Sequence, residues 1–290
     1  MPKGTPTELS QWLAAQEHKA QVTDGTEAHI VFADASKPAP TRWVFLYLHG
    51  FSATWPETAP LTQTLANHYQ ANVFQSRLSG HGLGTEGMHA SAEDWLESVA
   101  TQFHIASRLG DQIIIVATST GAALSVWLAQ HYPERIDAIL HLSPNYRVRN
   151  PLGQILTWPW SPLWVPWIVG SYREWEPISE EQRRFWSTRQ PVSALIEMQK
   201  VVDWVQQQDL SKIQVPLATM YMINDPTIAP NAAVKAHRQW GADYKQLIKV
   251  VPDGNEASHV FVGDICGPSR NEWCTEQFRL FLDPLRASPT

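Results

Sequence analysis

The sequence predicts an α/β fold, in which a mostly parallel central sheet is covered by helices on both faces. Six short apolar runs alternate with segments of helical periodicity, and this alternation is typical of parallel sheets. The runs are almost continuously apolar, as expected of strands that are buried on both faces. The chain has 290 residues, of which 43% are hydrophobic and 17% charged. This length and composition predict a single packed domain over residues 1–290.

Each predicted element has a local signal. The strand runs are rich in aliphatic and aromatic residues, and they occupy residues 43–48, 71–75, 112–118, 138–142, 217–223 and 246–251. Helical patterns lie between them at residues 55–69, 92–109, 121–131 and 232–240, and a further helix is expected to close the chain after residue 259. The sequence contains no internal repeat and no low-complexity tract.

Composition and charge exclude several classes of protein. The net charge of −6 provides no basic face, so we expect no nucleic-acid partner. No stretch of sequence approaches the roughly 20 apolar residues of a transmembrane helix. The N-terminal residues lack the basic and then apolar pattern of a signal peptide. We therefore expect a soluble, cytoplasmic protein.

The chain has two cysteines, Cys266 and Cys274. Two thiols cannot form a CxxC-type metal cluster, so the sequence predicts no metal site, and nothing in it requires a cofactor. The thiols could pair in an exported protein. Two buried free thiols are the favoured interpretation.

The segment VATSTGAA, at residues 116–123, places Ser119 between two threonines and shortly before Gly121. It follows a strand run directly and leads into a helical pattern that continues to about His131. A strand that turns sharply into a helix can hold one side chain out at its tip, and here that side chain is Ser119. Ser119 is therefore a candidate nucleophile.

Polar residues also follow the other predicted strands. Ligands bind at the carboxyl edge of an open parallel sheet, so residues at the strand ends are candidates for one shared site. In chain order these residues are His49, Gly50 and Phe51, then RLSGHG at 77–82, Ser119, Asn224 with Asp225, and His259.

The order Ser119, Asp225, His259 along the chain resembles the catalytic triad of the α/β-hydrolase superfamily, and the resemblance covers nearly the whole chain. The superfamily's G-x-S-x-G turn is here ATSTG at residues 117–121, with alanine in place of the first glycine. A small residue is needed there because strand and helix approach closely. The resemblance implies an α/β-hydrolase fold with an inserted cap.

Two further motifs, HGF at residues 49–51 and GHG at 80–82, resemble the branch of carboxylesterases, monoacylglycerol lipases and lysophospholipases. Epoxide hydrolases and haloalkane dehalogenases of this superfamily use an aspartate as nucleophile. Ser119 therefore argues against both of these classes. Acyl transfer is the chemistry that remains.

The resemblance implies a role for each member of the triad. His259 would remove the proton of Ser119, which then attacks an acyl group. Asp225 would hold the imidazole in the correct tautomer. Asp253 and Asp264 are competing acids, but they lie too near His259 in the sequence to match the family pattern.

Backbone N–H groups would stabilise the negative oxygen of the tetrahedral intermediate. The resemblance assigns this role to Thr120, which follows the nucleophile, and to Phe51 in the loop after the first strand. His49 and His81 are interpreted as residues that shape loops rather than as catalysts.

Residues 147–191 break the alternation and are predicted to form a cap inserted after a strand. The segment holds six of the 14 tryptophans, and its prolines prevent a long regular helix at its start. Such apolar surface suits an acyl chain or another apolar group. A packed subdomain is the alternative. The predicted substrate-pocket residues are Trp158, Trp160, Trp164, Trp167, Ile155 and Leu163.

Two classes of function remain open. The first is a serine hydrolase of carboxylic esters with an apolar acyl group, which acts on a small-molecule ester or lipid-like substrate. The second is a non-catalytic protein of the same fold that binds a ligand or a partner. Hydrolysis of a thioester, an amide or a carbon–carbon bond is a variant of the first. A competent residue at every triad position favours the enzyme.

Overall fold

The computed structural model describes residues 3–252, 257–266 and 270–287. Its strands are β1 (His29–Val31), β2 (Thr41–Leu48), β3 (Asn72–Gln75), β4 (Gly110–Thr118), β5 (Ile136–Leu142), β6 (Tyr172–Glu174), β7 (Arg189–Pro191), β8 (Leu217–Met222) and β9 (Lys245–Val250). Its helices are α1 (Pro6–Ala20), α2 (Ala59–Tyr69), α3 (Gly84–Gly87), α4 (Ala92–Ala106), α5 (Thr120–His131), α6 (Ser161–Val169), α7 (Glu180–Phe185), α8 (Val192–Gln206), α9 (Pro230–Gln239) and α10 (Asn271–Ala287). Short 3₁₀ segments lie at Trp55–Glu57, Pro133–Arg135, Pro151–Thr157 and Leu210–Lys212.

The described strands form a seven-stranded sheet in the order β1-β3-β2-β4-β5-β8-β9. β1 is antiparallel to β3, and the other neighbouring pairs are parallel. β6 and β7 form a separate antiparallel pair. The predicted mostly parallel sheet is confirmed, and each predicted strand run is a strand of it with bounds that differ by at most two residues.

Alternation along the central strand β4 divides the core into two layers. Ile113 and Ile115 pack on one face with residues of α4, α5 and α8. Ile114 and Val116 pack on the other face with residues of α2 and α10. All four side chains are fully buried. Burial on both faces explains the continuous apolar runs, and the two layers fix the positions of the loops that follow the strands.

The prediction of one helix over residues 55–69 is wrong. The 3₁₀ turn at Trp55–Glu57 is followed by α2, and Thr58 between them has a φ of −136°. Pro60 explains the break, because within a continuous helix its missing N–H and its ring would conflict with the carbonyl of Pro56. The break leaves Glu57 at the end of its own turn, where its side chain is buried.

Residues 147–191 form short elements, as their prolines predict. The 3₁₀ segment Pro151–Thr157 and α6 pack on α8, and α8 packs on α5, the helix that follows β4. Several large apolar side chains of this region nevertheless face solvent. Trp160 is 77% exposed and Trp167 is 91% exposed.

Cys266 and Cys274 are both free thiols. Cys274 is buried, whereas Cys266 is only partly buried. Burial raises the pKa of each thiol to about 12, and the negative charge of Glu57 adds to the shift of Cys266. Neither group is therefore a thiolate at neutral pH.

Within the described ranges, every helix is too short or too polar to cross a bilayer.

Candidate active site

Ser119 lies at the sharp turn between β4 and α5. Its φ of 52° and ψ of −114° form a strained conformation for a residue other than glycine. The Ser119 N–H donates to the Leu142 carbonyl at 3.0 Å, and its carbonyl accepts from the Asn145 N–H at 3.0 Å. Gly121 is required because a β-carbon at this position would collide with the carbonyl oxygen of Leu48. The turn is thus fixed against both neighbouring strands.

The structure brings Ser119, Asp225 and His259 together. Nε2 of His259 lies 2.9 Å from Oγ of Ser119, and Nδ1 lies 2.7 Å from Oδ2 of Asp225. Asp225 follows β8 and His259 follows β9, so the three side chains come from the carboxyl ends of separate strands. Ser143 follows β5 and donates its hydroxyl to the His259 carbonyl at 2.8 Å. This bond anchors the loop that carries His259, which is called the histidine loop below.

The Asp225 carboxylate is fully buried and accepts several hydrogen bonds. Oδ1 accepts the N–H groups of Thr227 at 2.7 Å and Ile228 at 3.0 Å, which leaves Oδ2 for His259. Burial raises the pKa of Asp225. The charge of His259, its hydrogen bond and the two N–H groups outweigh burial, so the pKa lies below its usual value. Asp225 is an anion placed to orient an imidazole.

The structure separates the competing acid Asp264 from this arrangement. Asp264 is exposed, and its Oδ1 accepts from Nδ2 of Asn271 at 2.8 Å. Asp253 lies outside the described residues. In the part of the chain that the structure describes, no three His, Cys, Asp or Glu side chains are arranged to hold a metal ion.

The backbone N–H groups of Phe51 and Thr120 are free for a ligand. Among the described residues, neither has a hydrogen-bond partner in the protein. Thr120 begins α5, where N–H groups have no acceptor within the helix. The Gly50 carbonyl accepts from Nδ1 of His49 at 2.9 Å. Since a trans peptide points its C=O and N–H in opposite directions, this contact directs the Phe51 N–H away from His49.

His49 and His81 are buried side chains whose hydrogen bonds are with backbone groups. Nε2 of His49 accepts the Leu78 N–H at 2.9 Å, and Nδ1 of His81 lies 3.2 Å from the Ser79 carbonyl. Burial lowers the pKa of His49 well below its usual value and that of His81 to about 4, so both rings are neutral at pH 7. These contacts fit residues that shape loops.

Glu57 is an ionisable group of the site that sequence reasoning missed. Its Oε1 accepts the Gly50 N–H at 2.6 Å and the Tyr47 hydroxyl at 2.7 Å. The side chain is only 1% exposed. The available signal was a single acid in the apolar stretch FSATWPETAP directly after the HG motif. Sequence alone does not say that this acid points inward.

Most of the predicted pocket residues are exposed to solvent. Trp158, Trp160, Leu163 and Trp167 are exposed, and Ile155 and Trp164 are half-buried. None of the six lines the small space beside His259. That space is bounded by Thr58, Thr118, Leu142, Val260, Phe261 and Val262. That these tryptophans line an acyl pocket remains a prediction.

A later part of the cap segment contacts both site loops. The Ser187 N–H donates to the Ser52 carbonyl at 2.8 Å, and the Thr54 hydroxyl donates to the Phe185 carbonyl at 2.8 Å. Nε2 of Gln182 donates to Sγ of Cys266 at 3.4 Å. These contacts tie α7 and the residues after it to the loop that carries Phe51 and to the loop that carries His259.

Comparison with protein-family models identifies the family of the chain. The family model of Hydrolase_4, described as serine aminopeptidase, S33, matches residues 39–255. The chain belongs to the Hydrolase_4 family. The match begins just before β2 and extends beyond β9, so it includes Ser119 and Asp225, while His259 follows it. Membership of this family confirms the resemblance to α/β hydrolases.

Among curated proteins, a thermostable monoacylglycerol lipase of Bacillus sp. (strain H-257) is 31% identical over 90 residues. The aligned region is 31% of this chain and 36% of the lipase. The chain thus spans about a third of the length of the curated relative that it matches.

Solved structures share the fold over almost the whole chain. One, reported for LipS and LipT, two metagenome-derived lipolytic enzymes, is 20% identical, covers 91% of this chain and 100% of its own, and has a TM-score of 0.70. A monoacylglycerol lipase of Paleococcus ferrophilus is 15% identical, with 89% and 98% covered and a TM-score of 0.63. A soluble variant of monoglyceride lipase from Saccharomyces cerevisiae, bound to a substrate analog, is 13% identical, with 91% and 92% covered and a TM-score of 0.66. The α/β-hydrolase fold is confirmed.

Proposed function

We propose that the chain is a serine hydrolase that cleaves carboxylic esters with an apolar acyl group, in the manner of a carboxylesterase, a monoacylglycerol lipase or a lysophospholipase. One observation carries the proposal. The His259 ring lies 2.9 Å from the hydroxyl of Ser119 and 2.7 Å from the carboxylate of Asp225. Membership of the Hydrolase_4 family and the 31% identical lipase support it.

In the proposed reaction, Nε2 of His259 takes the hydroxyl proton of Ser119, and Oγ attacks the ester carbonyl carbon. Asp225 accepts the Nδ1–H, which leaves Nε2 as the basic nitrogen, and it stabilises the imidazolium. His259 then gives its proton to the departing alcohol, and the acyl group remains on Ser119. Water activated by the same ring releases the acid and restores the serine.

The N–H groups of Phe51 and Thr120 are proposed to bind the negative oxygen of both tetrahedral intermediates. Each donor is worth on the order of 3 kcal/mol in barrier height. The absence of a protein acceptor for either group within the described residues supports this role.

An apolar acyl group fits the composition of the first part of the predicted cap. Residues 150–171 contain no Asp, Glu, Lys, Arg or His. Such a surface suits an acyl chain. We therefore propose that the cap, with Trp158, Trp160, Trp164, Trp167, Ile155 and Leu163, supplies the apolar surface for the acyl chain.

We expect a fluorophosphonate probe to label the purified protein at Ser119. Ser119→Ala should abolish labelling and lower the rate of ester hydrolysis by several orders of magnitude. The circular dichroism spectrum should be unchanged. Ser98→Ala, a matched loss of a partly buried hydroxyl on α4, should leave both activities intact. Residual hydrolysis in Ser119→Ala within about tenfold of wild type would contradict the assignment.

A substrate series separates the acyl-bond alternatives. Wild-type protein is assayed against p-nitrophenyl esters and monoacylglycerols of rising chain length, and against aminoacyl p-nitroanilides. Hydrolysis of the esters is the expected result. Selective hydrolysis of the anilides would assign an aminopeptidase, and no labelling by the probe would favour a binding protein. The cytoplasmic location expected from the sequence belongs to the proposal and is tested by cell fractionation.

A further inference from the structure

Glu57 is a buried acid beside the proposed nucleophile that the triad does not use. It ends the 3₁₀ turn that follows the HGF loop. A β-carbon placed on Gly50 would lie 3.2 Å from Cβ of Ser119, and 3.4 and 3.6 Å from the carboxylate oxygens of Glu57. Gly50 therefore lies within van der Waals reach of both Glu57 and the nucleophile.

The two peptide groups of Gly50 have separate anchors. Glu57 accepts the Gly50 N–H at 2.6 Å, and His49 contacts the Gly50 carbonyl at 2.9 Å. The second of these peptides carries the Phe51 N–H. Fixing both peptide planes fixes the direction of that N–H, because the chain between them has only the two dihedral angles of Gly50.

The groups that face Glu57 come from β2 and from the histidine loop. Tyr47 on β2 donates its hydroxyl to Glu57 and also contacts the hydroxyl of Thr118 at 3.0 Å. The charge of His259 lowers the pKa of Glu57, and the negative charge of Glu57 raises the pKa of Cys266. Tyr47 and Cys266 stay neutral near pH 7 because burial and the negative charge of Glu57 raise the pKa of both.

The charge of Glu57 changes near neutral pH. Burial raises its pKa to about 7, while the Gly50 N–H, the Tyr47 hydroxyl and the charge of His259 act in the opposite direction. Above that pH the site holds a second carboxylate near His259, in addition to Asp225. An additional negative charge favours the imidazolium that forms when Ser119 is deprotonated.

We propose that Glu57 is a positioning residue of the active site, whose carboxylate anchors the Gly50 peptide beside Ser119 and whose negative charge stabilises the protonated His259 during the reaction. This inference rests on the proposed function. The hydrogen bonds of Glu57 within the described residues go to Gly50 and Tyr47 and not to Oγ of Ser119, so Glu57 acts through Gly50 and His259.

Glu57→Gln separates the charge from the anchor. Both hydrogen bonds of Glu57 go to Oε1, and a glutamine oxygen can accept the same two bonds. Glu57→Ala removes both the charge and the anchor. Glu17→Gln is the matched control, because Glu17 is a buried acid on α1 that accepts the Ala28 N–H at 3.0 Å and pairs with Arg77.

The readout is the second-order rate of fluorophosphonate labelling of Ser119 between pH 5.5 and 9, which needs no knowledge of the natural substrate. At pH 9 we expect Glu57→Gln to be slower than wild type by about tenfold, and at pH 5.5 the two rates should agree within about twofold, because Glu57 is then neutral in wild type as well. Glu57→Ala should be slower at every pH. The control should follow the wild-type profile.

The melting temperature is a second readout, and Glu57→Gln should raise it although the same variant lowers the labelling rate. Glu57→Gln removes a buried charge, so it should raise the melting temperature at pH 9 more than at pH 5.5, even as it slows labelling. If Glu57→Gln does not fold, Tyr47→Phe replaces it. Loss of the Tyr47 donor raises the pKa of Glu57. The labelling rate, which falls as the pH is lowered, should therefore begin to fall at a higher pH in Tyr47→Phe than in wild type.

Three outcomes would overturn the inference. They are a rate ratio between Glu57→Gln and wild type that is the same at every pH, a Glu57→Gln protein as fast as wild type at pH 9, and an unchanged pH profile in Tyr47→Phe. Each leaves the proposed function standing, because wild type is still labelled. A wild-type protein that is not labelled at all contradicts the proposed function first.

Discussion

At the scale of single residues, the position of Asp225 leads to a direct prediction. In Asp225→Asn an amide would face Nδ1 of His259 and favour the tautomer with the proton on Nε2, which then could not take the proton of Ser119. Turnover of p-nitrophenyl butyrate should fall on the order of 10⁴-fold. Initial rates at saturating substrate, with the melting temperature as a check on folding, measure the effect.

Asp264→Asn is the matched control for this prediction. Asp264 is exposed and contacts Asn271, so its replacement should leave turnover within about twofold of wild type. A larger loss in Asp264→Asn than in Asp225→Asn would mean that the acid is misassigned.

The sequence predicts one shared site for Ser119, Asp225 and His259 because chain order and strand ends are visible in it. Parallel strands bring their carboxyl ends to one edge, so three distant residues could be assigned to one site. Glu57 had no such signal. Its burial depends on the break at Thr58, which Pro60 causes, and on the approach of the histidine loop. Burial of one polar side chain is a tertiary property that local pattern does not record.

At the scale of elements, the cap can be tested by removing its uncharged part. Replacing residues 150–171 by a short Gly/Ser linker leaves the contacts of Phe185 and Ser187 with the Phe51 loop in place. The Michaelis constant should rise far more for long acyl esters than for acetate, because each methylene that loses apolar contact forfeits roughly 0.8 kcal/mol. Kinetics over a p-nitrophenyl ester series measure the change.

Fluorophosphonate labelling of Ser119 controls for damage to the site in the shortened protein. Retained labelling with an unchanged chain-length profile would show that the cap is structural and would remove the argument for an apolar acyl group.

The strands were predictable and the cap was not, for a physical reason. A strand buried on both faces has a continuous apolar signal whatever surrounds it. In residues 147–191 the prolines interrupt any period, so the sequence indicates short elements without their directions. The exposure of Trp160 and Trp167 depends on which side of α6 packs on α8, and an α6 that is apolar on nearly every side carries no mark of that choice.

At the scale of the whole molecule, buried neutral histidines make stability depend on pH. Burial lowers the pKa of His81 and His237 to about 4, that of His141 to about 3, and that of His49 well below its usual value. Below pH 6.5 the unfolded chain binds protons at these sites and the folded chain does not. The stability conferred by each neutral histidine is therefore present above pH 6.5 and is lost as the pH falls toward the pKa of that histidine in the folded chain.

We expect the free energy of unfolding to fall between pH 7 and pH 5 by about 2 kcal/mol for each of His81 and His141, which are fully buried. Glu57 opposes this trend, because its raised pKa makes the folded chain bind a proton that the unfolded chain releases, but it offsets only one histidine. His141→Asn should flatten the dependence by about 2 kcal/mol. Guanidinium unfolding at pH 5, 6, 7 and 8 measures it.

His68→Asn is the control for this experiment, since His68 is an exposed residue of α2. Its pH dependence should match wild type. If His141→Asn and His68→Asn gave the same curve as wild type, the buried histidines would not be the source of acid sensitivity.

Trypsin cannot cut within the predicted cap between residues 150 and 172. Residues 150–172 contain neither lysine nor arginine, so digestion of the unfolded chain releases residues 150–173 as one fragment. That fragment carries Trp158, Trp160, Trp164 and Trp167, four of the 14 indoles in the protein. Oxidative footprinting followed by mass spectrometry of this single peptide therefore reports how much of the cap is covered when a ligand is added.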